Sequence, residues 1–95
     1  MYKVSFSPKA AAQYADIVEI LSNYPKKLLT FENEIESVIR RLEKMPESYS
    51  IKGSLRAARL RKSQYYMFYK VENEDNKVLV ILLISQQADP QNWPV

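Results

Sequence analysis

Lys77-Val78-Leu79-Val80-Ile81-Leu82-Leu83-Ile84-Ser85 is the stretch from which the rest of the chain can be read. Seven consecutive apolar residues, rich in β-branched side chains, fit a strand better than a helix. An unbroken apolar run also predicts a central strand that is buried on both faces. At seven residues it falls far short of the ~20 that cross a bilayer. Just before it, Glu72-Asn73-Glu74-Asp75-Asn76 is a polar turn, and before that Tyr65 to Val71 is aromatic-rich and strand-like. Leu55 to Lys62 alternates loosely, with Ala58 and Leu60 on one face and Ala57, Arg59 and Arg61 on the other. Three strands in a meander are therefore expected from Leu55 to Ser85. The polar segment Pro46 to Ser54, which holds Gly53, reads as a loop.

The first half is different. Tyr2, Val4 and Phe6 alternate with Lys3 and Ser5, the pattern of a half-buried strand. Ser7-Pro8 reads as a helix start, with serine as the cap and proline at the first helical position. Ala11, Tyr14, Ala15, Val18 and Leu21 then form a stripe at helical spacing, ending near Asn23-Tyr24 before Pro25. From Pro25 to Lys44, Leu28, Phe31, Ile35, Val38 and Leu42, continued by Met45, recur every three or four residues, so a second helix with one apolar face is expected to end at Pro46. The order strand, helix, helix, three strands predicts an α+β fold. A helical hairpin packs on one face of a small, mainly antiparallel sheet, in one domain spanning residues 1–95. The other face is expected to be only partly covered, sheltered by the C-terminal tail from Ala88 or by a partner chain. Trp93 in that tail is a candidate latch or partner anchor.

Composition narrows the chemistry. The chain has 95 residues, 46% hydrophobic and 26% charged, which suits a small globular fold. It contains neither cysteine nor histidine, which removes disulfides, thiol nucleophiles, histidine bases and the usual zinc sites. A single glycine removes Gly-rich phosphate loops. No cofactor, metal or membrane partner is expected, and with no signal-peptide profile at the N-terminus the expected compartment is the cytoplasm.

The net charge of +3 is unevenly placed. Lys52, Arg56, Arg59, Arg61, Lys62 and Lys70 fall in a 19-residue segment with no acid, so the rest of the chain is net −3. Tyr65, Tyr66, Phe68 and Tyr69 are interleaved with them. Cations for phosphates beside aromatic faces for bases are the ingredients of RNA recognition; a solvated basic strand with tyrosines supporting the sheet has the same composition. Glu32, Glu34 and Glu36 read as a solvated helix face. Glu47 lies within reach of the basic segment.

These stretches resemble the RelE/ParE superfamily of toxins from bacterial type II toxin–antitoxin systems. Tyr2 to Ala10 is similar to the family's opening strand and helix start, and Ile39 to Pro46 to its second helix end. Leu60-Arg61, Tyr65 and Phe68-Tyr69-Lys70-Val71 resemble the two strands that follow. Val80 to Ile84 with Asp89-Pro90-Gln91-Asn92-Trp93 resembles the closing strand and tail. The resemblance implies a toxin neutralised by a cognate antitoxin. RelE-like members cut mRNA in the ribosomal A site, and ParE-like members inhibit DNA gyrase; a shared fold does not separate them. Arg59 and Arg61 fall where RelE-like nucleases carry a Lys and an Arg on the scissile phosphate. With Tyr66 they make the implied catalytic set, and Lys52, Arg56, Lys62 and Tyr65 are the implied nucleic-acid contacts. The sequence departs from the pattern at three places. Tyr66 replaces the strand arginine, Ser85, Gln86 and Gln87 stand where many members carry His or Arg, and Tyr49 stands at the glutamate base of the YoeB-like branch. Ribosome-dependent mRNA cleavage, non-catalytic gyrase inhibition and an inactive relic all remain open from these residues.

Overall fold

The computed structural model describes residues 1–88. The chain runs β1 (Lys3–Phe6), α1 (Pro8–Leu21), α2 (Pro25–Lys44), β2 (Ser50–Lys52), β3 (Leu55–Leu60), β4 (Tyr65–Glu72), a 3-10 turn (Asn73–Asp75) and β5 (Lys77–Ser85). Five strands form one mixed sheet in the order β1-β5-β4-β3-β2. The β2–β3, β3–β4 and β4–β5 pairs are antiparallel, and β1 lies parallel to β5. Both helices pack on one face. No helix among the described residues is long and apolar enough to cross a membrane.

The helix start at Ser7-Pro8 forms as the capping chemistry requires. Ser7 Oγ accepts from the Ala10 N–H at 3.1 Å and donates to the Ile81 carbonyl at 3.2 Å. The α2 stripe buries Phe31, Ile35, Val38 and Leu42, but Met45 lies past the helix end and is 53% exposed. The α1 stripe is rotated from the expected one. Ala10 and Ile17 are the buried residues, with Tyr14, Val18 and Leu21 beside them, and Ala11 and Ala15 face solvent. Alanines weigh little in an apolar stripe, and the larger Ile17 decides the orientation. The helix-side core gathers these residues with Ala58, Leu60, Met67, Tyr69, Val78, Val80 and Leu83. An aromatic line, Phe6–Tyr14–Phe31–Tyr65, crosses it with ring centroids 6.0, 5.6 and 5.5 Å apart.

Two features of the sheet differ from expectation. The segment read as a loop contains β2, so the sheet has five strands among the described residues. Gly53, with φ 66°, opens the two-residue link Gly53-Ser54 that folds β2 back on β3. Also, β5 is interior, but the middle position belongs to β4. Phe68 faces Leu82 whereas Tyr69 faces Val80, so Ile81 is an extra residue bulged out of the ladder. Val78, Val80 and Leu83 can therefore all face the helices, while Leu82 joins Ala57 and Phe68 on the other side. That other side is not bare. Ala57, Phe68 and Leu82 are buried, with Leu55, Tyr66, Ile81 and Ile84 half-buried around them. Trp93 and the expected latch lie outside the described residues.

Glu34 is not a solvated helix residue. Its carboxylate accepts from the Lys62 N–H (3.1 Å), the Ser63 N–H (2.8 Å) and Ser63 Oγ (2.7 Å), which ties the β3–β4 turn to α2. Glu36 does lie on the exposed face, paired with Arg40 one turn on.

Candidate functional site

Alternation along β3 puts Leu55, Ala57 and Arg59 on the face away from the helices and Arg56, Ala58 and Leu60 on the helix side. Tyr66 stands directly opposite Arg59 in the β3–β4 ladder. Ser50 and Lys52 of β2 pair with Ala57 and Leu55, and so share the open face. Ser50, Lys52, Ala57, Arg59 and Tyr66 line a groove of about 340 Å³ with Ser48, Tyr49 and Arg61. Four of the seven residues singled out from the sequence, Lys52, Arg59, Arg61 and Tyr66, therefore meet in one place. The lining residues comprise three cations, no carboxylate and four that carry hydroxyls, of which Tyr49 also packs its ring edge-on against Tyr69, with centroids 6.3 Å apart. Such a surface attracts a polyanion and offers donors to its oxygens.

The other three stand elsewhere. Tyr65 packs edge-on against Phe31 in the helix-side core. Together with Lys62 it lines a separate cavity of about 480 Å³ with Leu21, Lys26, Lys27 and Thr30, where the two helices meet the β3–β4 turn. Arg56 points to the helix side, beyond the end of α2. Its Nη1 donates to the Tyr49 carbonyl at 2.9 Å and to the Glu47 carbonyl at 3.2 Å. Its Nη2 pairs with Glu47 Oε2 at 3.4 Å. Glu47 thus reaches the basic segment through Arg56, on the face opposite the groove.

Sequence reasoning missed Ser48 and Ser50, and gave Tyr49 only a place in an alignment. The signal available was a run of hydroxyl residues, Ser48-Tyr49-Ser50, just ahead of the basic segment. It acquires meaning only when residues 46–49 are fixed in space. Buried Tyr69 donates its hydroxyl to the Pro46 carbonyl at 2.6 Å. Burial pushes the Tyr69 phenol up to about 12, against the opposing pull of Arg56. Arg41 Nε donates to Ser48 Oγ at 3.1 Å, and the Arg41 guanidinium lies 5.7 Å from the Tyr49 ring centre. Burial also raises the Tyr49 phenol, with Arg41 opposing, so near neutral pH Tyr49 is a proton donor and not a base. Among the described residues no acids cluster to hold a metal ion.

Comparison of the sequence with curated proteins gives no match. Solved structures are more informative about the fold. The chain is similar to the chromosomal ParDE toxin–antitoxin system of P. aeruginosa, with a TM-score of 0.70 at 16% identity, covering 90% of this chain and 96% of that one. It is similar to the isolated E. coli RelE toxin, with a TM-score of 0.65 at 19% identity and 96% and 90% coverage. The intact E. coli RelBE toxin–antitoxin complex also matches, with a TM-score of 0.65 at 21% identity and 93% and 100% coverage. At these identities the likeness establishes the α+β fold, which the ParDE and RelE structures share. A family model decides membership: it matches residues 4–90, nearly the whole chain, and the protein belongs to the ParE toxins of type II toxin–antitoxin systems.

Proposed function

We propose that this toxin acts through the open-face groove, by binding RNA phosphates and cutting ribosome-bound mRNA, and that a cognate antitoxin holds it inactive. The observation that carries the reading is the convergence of Lys52, Arg59, Arg61 and Tyr66 on one groove free of carboxylates. In such a cut the RNA 2′-oxygen attacks the adjacent phosphorus and the bond to the 5′-oxygen breaks. The proton of the 2′-hydroxyl passes to water, and the departing 5′-oxygen must gain one. Arg59 and Arg61 would stabilise the charge that builds on the phosphate oxygens. Tyr66, opposite Arg59, would donate to the leaving oxygen and recover its proton from solvent. Since the groove lacks a strong base, much of the rate must come from substrate held in line by the ribosome, which fits a nuclease that works only there.

A second reading, inhibition of DNA gyrase without catalysis, is favoured by the family match to ParE toxins. In that case the same groove is a docking surface. Primer extension on mRNA in purified translating ribosomes separates the two. Cuts in the A-site codon that vanish in Arg59→Ala/Arg61→Ala support the nuclease. No cuts, combined with inhibition of gyrase supercoiling at concentrations that arrest growth, would replace it with the second reading. The compartment expected is the cytoplasm, where both targets reside.

A further inference from the structure

The groove has two walls of different construction. One is the β3–β4 ladder, where Arg59 and Tyr66 stand opposite each other with Ala57 beside them. The other is the segment Ser48 to Ser50, which leads into a strand of three residues at the sheet edge. Three hydrogen-bonded residues are too few to fix a wall alone, and edge strands of this length fray readily. What holds this wall is a set of side chains on the far face of the sheet.

Arg56 is the centre of that set. It carries a charge in the basic segment, but its fork is occupied by two backbone carbonyls and a carboxylate. All three acceptors belong to residues 47 and 49, on either side of Ser48. Behind it, Tyr69, opposite Arg56 in the ladder, reaches the Pro46 carbonyl. The carbonyls of Pro46, Glu47 and Tyr49 in one short segment are thus held by two neighbouring side chains from β3 and β4, the strands that also carry Arg59 and Tyr66.

We propose that Arg56 is a positioning residue of the groove. It holds residues 47–49 so that Ser48, Tyr49 and Ser50 stand across from Arg59 and Arg61, and it does not itself touch the bound polyanion. The inference rests on the groove as the phosphate-binding surface. It assigns opposite roles to two arginines three positions apart: Arg59 contacts phosphate, and Arg56 sets the width of the channel in which that contact is made. A charge-assisted fork to a backbone carbonyl is stronger than a neutral bond, and its geometry is directional, so lysine is a poor substitute.

Salt dependence distinguishes the roles. Each phosphate contact on a single strand contributes about 0.7 to the slope of log K against log salt. Fluorescence anisotropy with a labelled ten-nucleotide oligouridylate, over a series of salt concentrations, measures both affinity and slope. Arg59→Ala and Arg61→Ala are each expected to reduce the slope by about 0.7. Arg56→Gln, which removes both the fork and the charge, is expected to weaken binding about tenfold with the slope unchanged, since no phosphate contact is lost. Tyr69→Phe, which keeps the ring and removes only the bond to Pro46, is expected to act in the same direction and covers the case in which Arg56 variants fail to fold. A slope reduced by about 0.7 in Arg56→Gln would make Arg56 a direct contact and overturn the proposal alone. So would unaltered affinity in both Arg56→Gln and Tyr69→Phe. If the unsubstituted protein does not bind, or Arg59→Ala and Arg61→Ala leave the slope untouched, the groove itself has been misread and the positioning role falls with it.

Discussion

The two faces of the sheet are made by the same strands, residue by alternate residue, and they differ in almost every other respect. Towards the helices, Ala58, Leu60, Met67, Tyr69, Val78, Val80 and Leu83 meet two helical stripes and leave no gap for charge except at the rim, where Arg56 sits. Away from them, a small apolar patch of Ala57, Phe68 and Leu82 is bordered by Lys52, Arg59 and Arg61. Ala57 and Ala58 are neighbours in sequence and lie in different cores. Burial is concentrated on the first face and uncompensated charge on the second. If the open-face groove is the working surface proposed above, stability and activity are separable by choosing which parity of residue to change on a single strand.

Substitutions should break that separation if it is false. The largest loss of stability is expected from Phe31→Ala, which removes a fully buried ring flanked by Tyr14 and Tyr65. Urea unfolding should show a loss of about 3–5 kcal/mol. A loss below 1 kcal/mol would mean that the helix-side core is not the main one. Next comes alkaline pH. The Tyr69 phenol rises from 10.0 to about 12 on burial. Between those values the folded chain keeps a proton that the unfolded chain has lost. This contribution is whole below pH ~10 and disappears as pH rises through ~12, a fall of roughly 2–3 kcal/mol. Tyr69→Phe should flatten that limb of the stability curve, and an unchanged limb would count against the assigned burial.

A smaller effect is expected from Glu34→Ala, which strips the β3–β4 turn of its acceptor. About 1–2 kcal/mol should be lost, with faster amide exchange at Lys62 and Ser63. Slow exchange retained there would show that the turn holds itself. The smallest effect on stability belongs to Arg59→Ala/Arg61→Ala, both exposed, at within about 0.5 kcal/mol. The same variant should no longer arrest growth when expressed in cells. A toxin that survives this change intact would sharpen the comparison in an unexpected direction, moving function off the open face.

Much of this was legible before the fold was seen, where a single local rule applied. The α2 stripe, the limits of β5, the cap at Ser7 and the opposite facing of Ala58 and Arg59 follow from periodicity and capping alone. What escaped depends on partners far along the chain. Ser50-Ile51-Lys52 has no strand pattern of its own and becomes β2 through the Gly53 turn and Arg56. The bulge at Ile81 is invisible inside a uniformly apolar run. Glu34 looked like its neighbours Glu32 and Glu36 because its acceptors' donors lie 28 and 29 residues away. The groove was half legible for the same reason: Arg59 and Ala57 on β3 follow alternation, whereas Lys52 and the hydroxyl residues come from β2 and the segment before it, which Tyr69 and Arg56 hold.

The parallel pairing of β1 with β5 also sets an order of events during synthesis. Among the described residues β1 sits at the edge of the sheet, and Lys3 meets its partner only at Lys77. A ribosome making this protein delivers the first strand at the start and its neighbour near the end. Contacts of such wide separation form slowly, because the intervening loop must close before they contribute. Until residues 77–85 have left the ribosome, α1 and α2 have no completed sheet to cover, and β4 lacks one of its two neighbours. The nascent chain therefore lacks the finished sheet that carries the groove until β5 has been made.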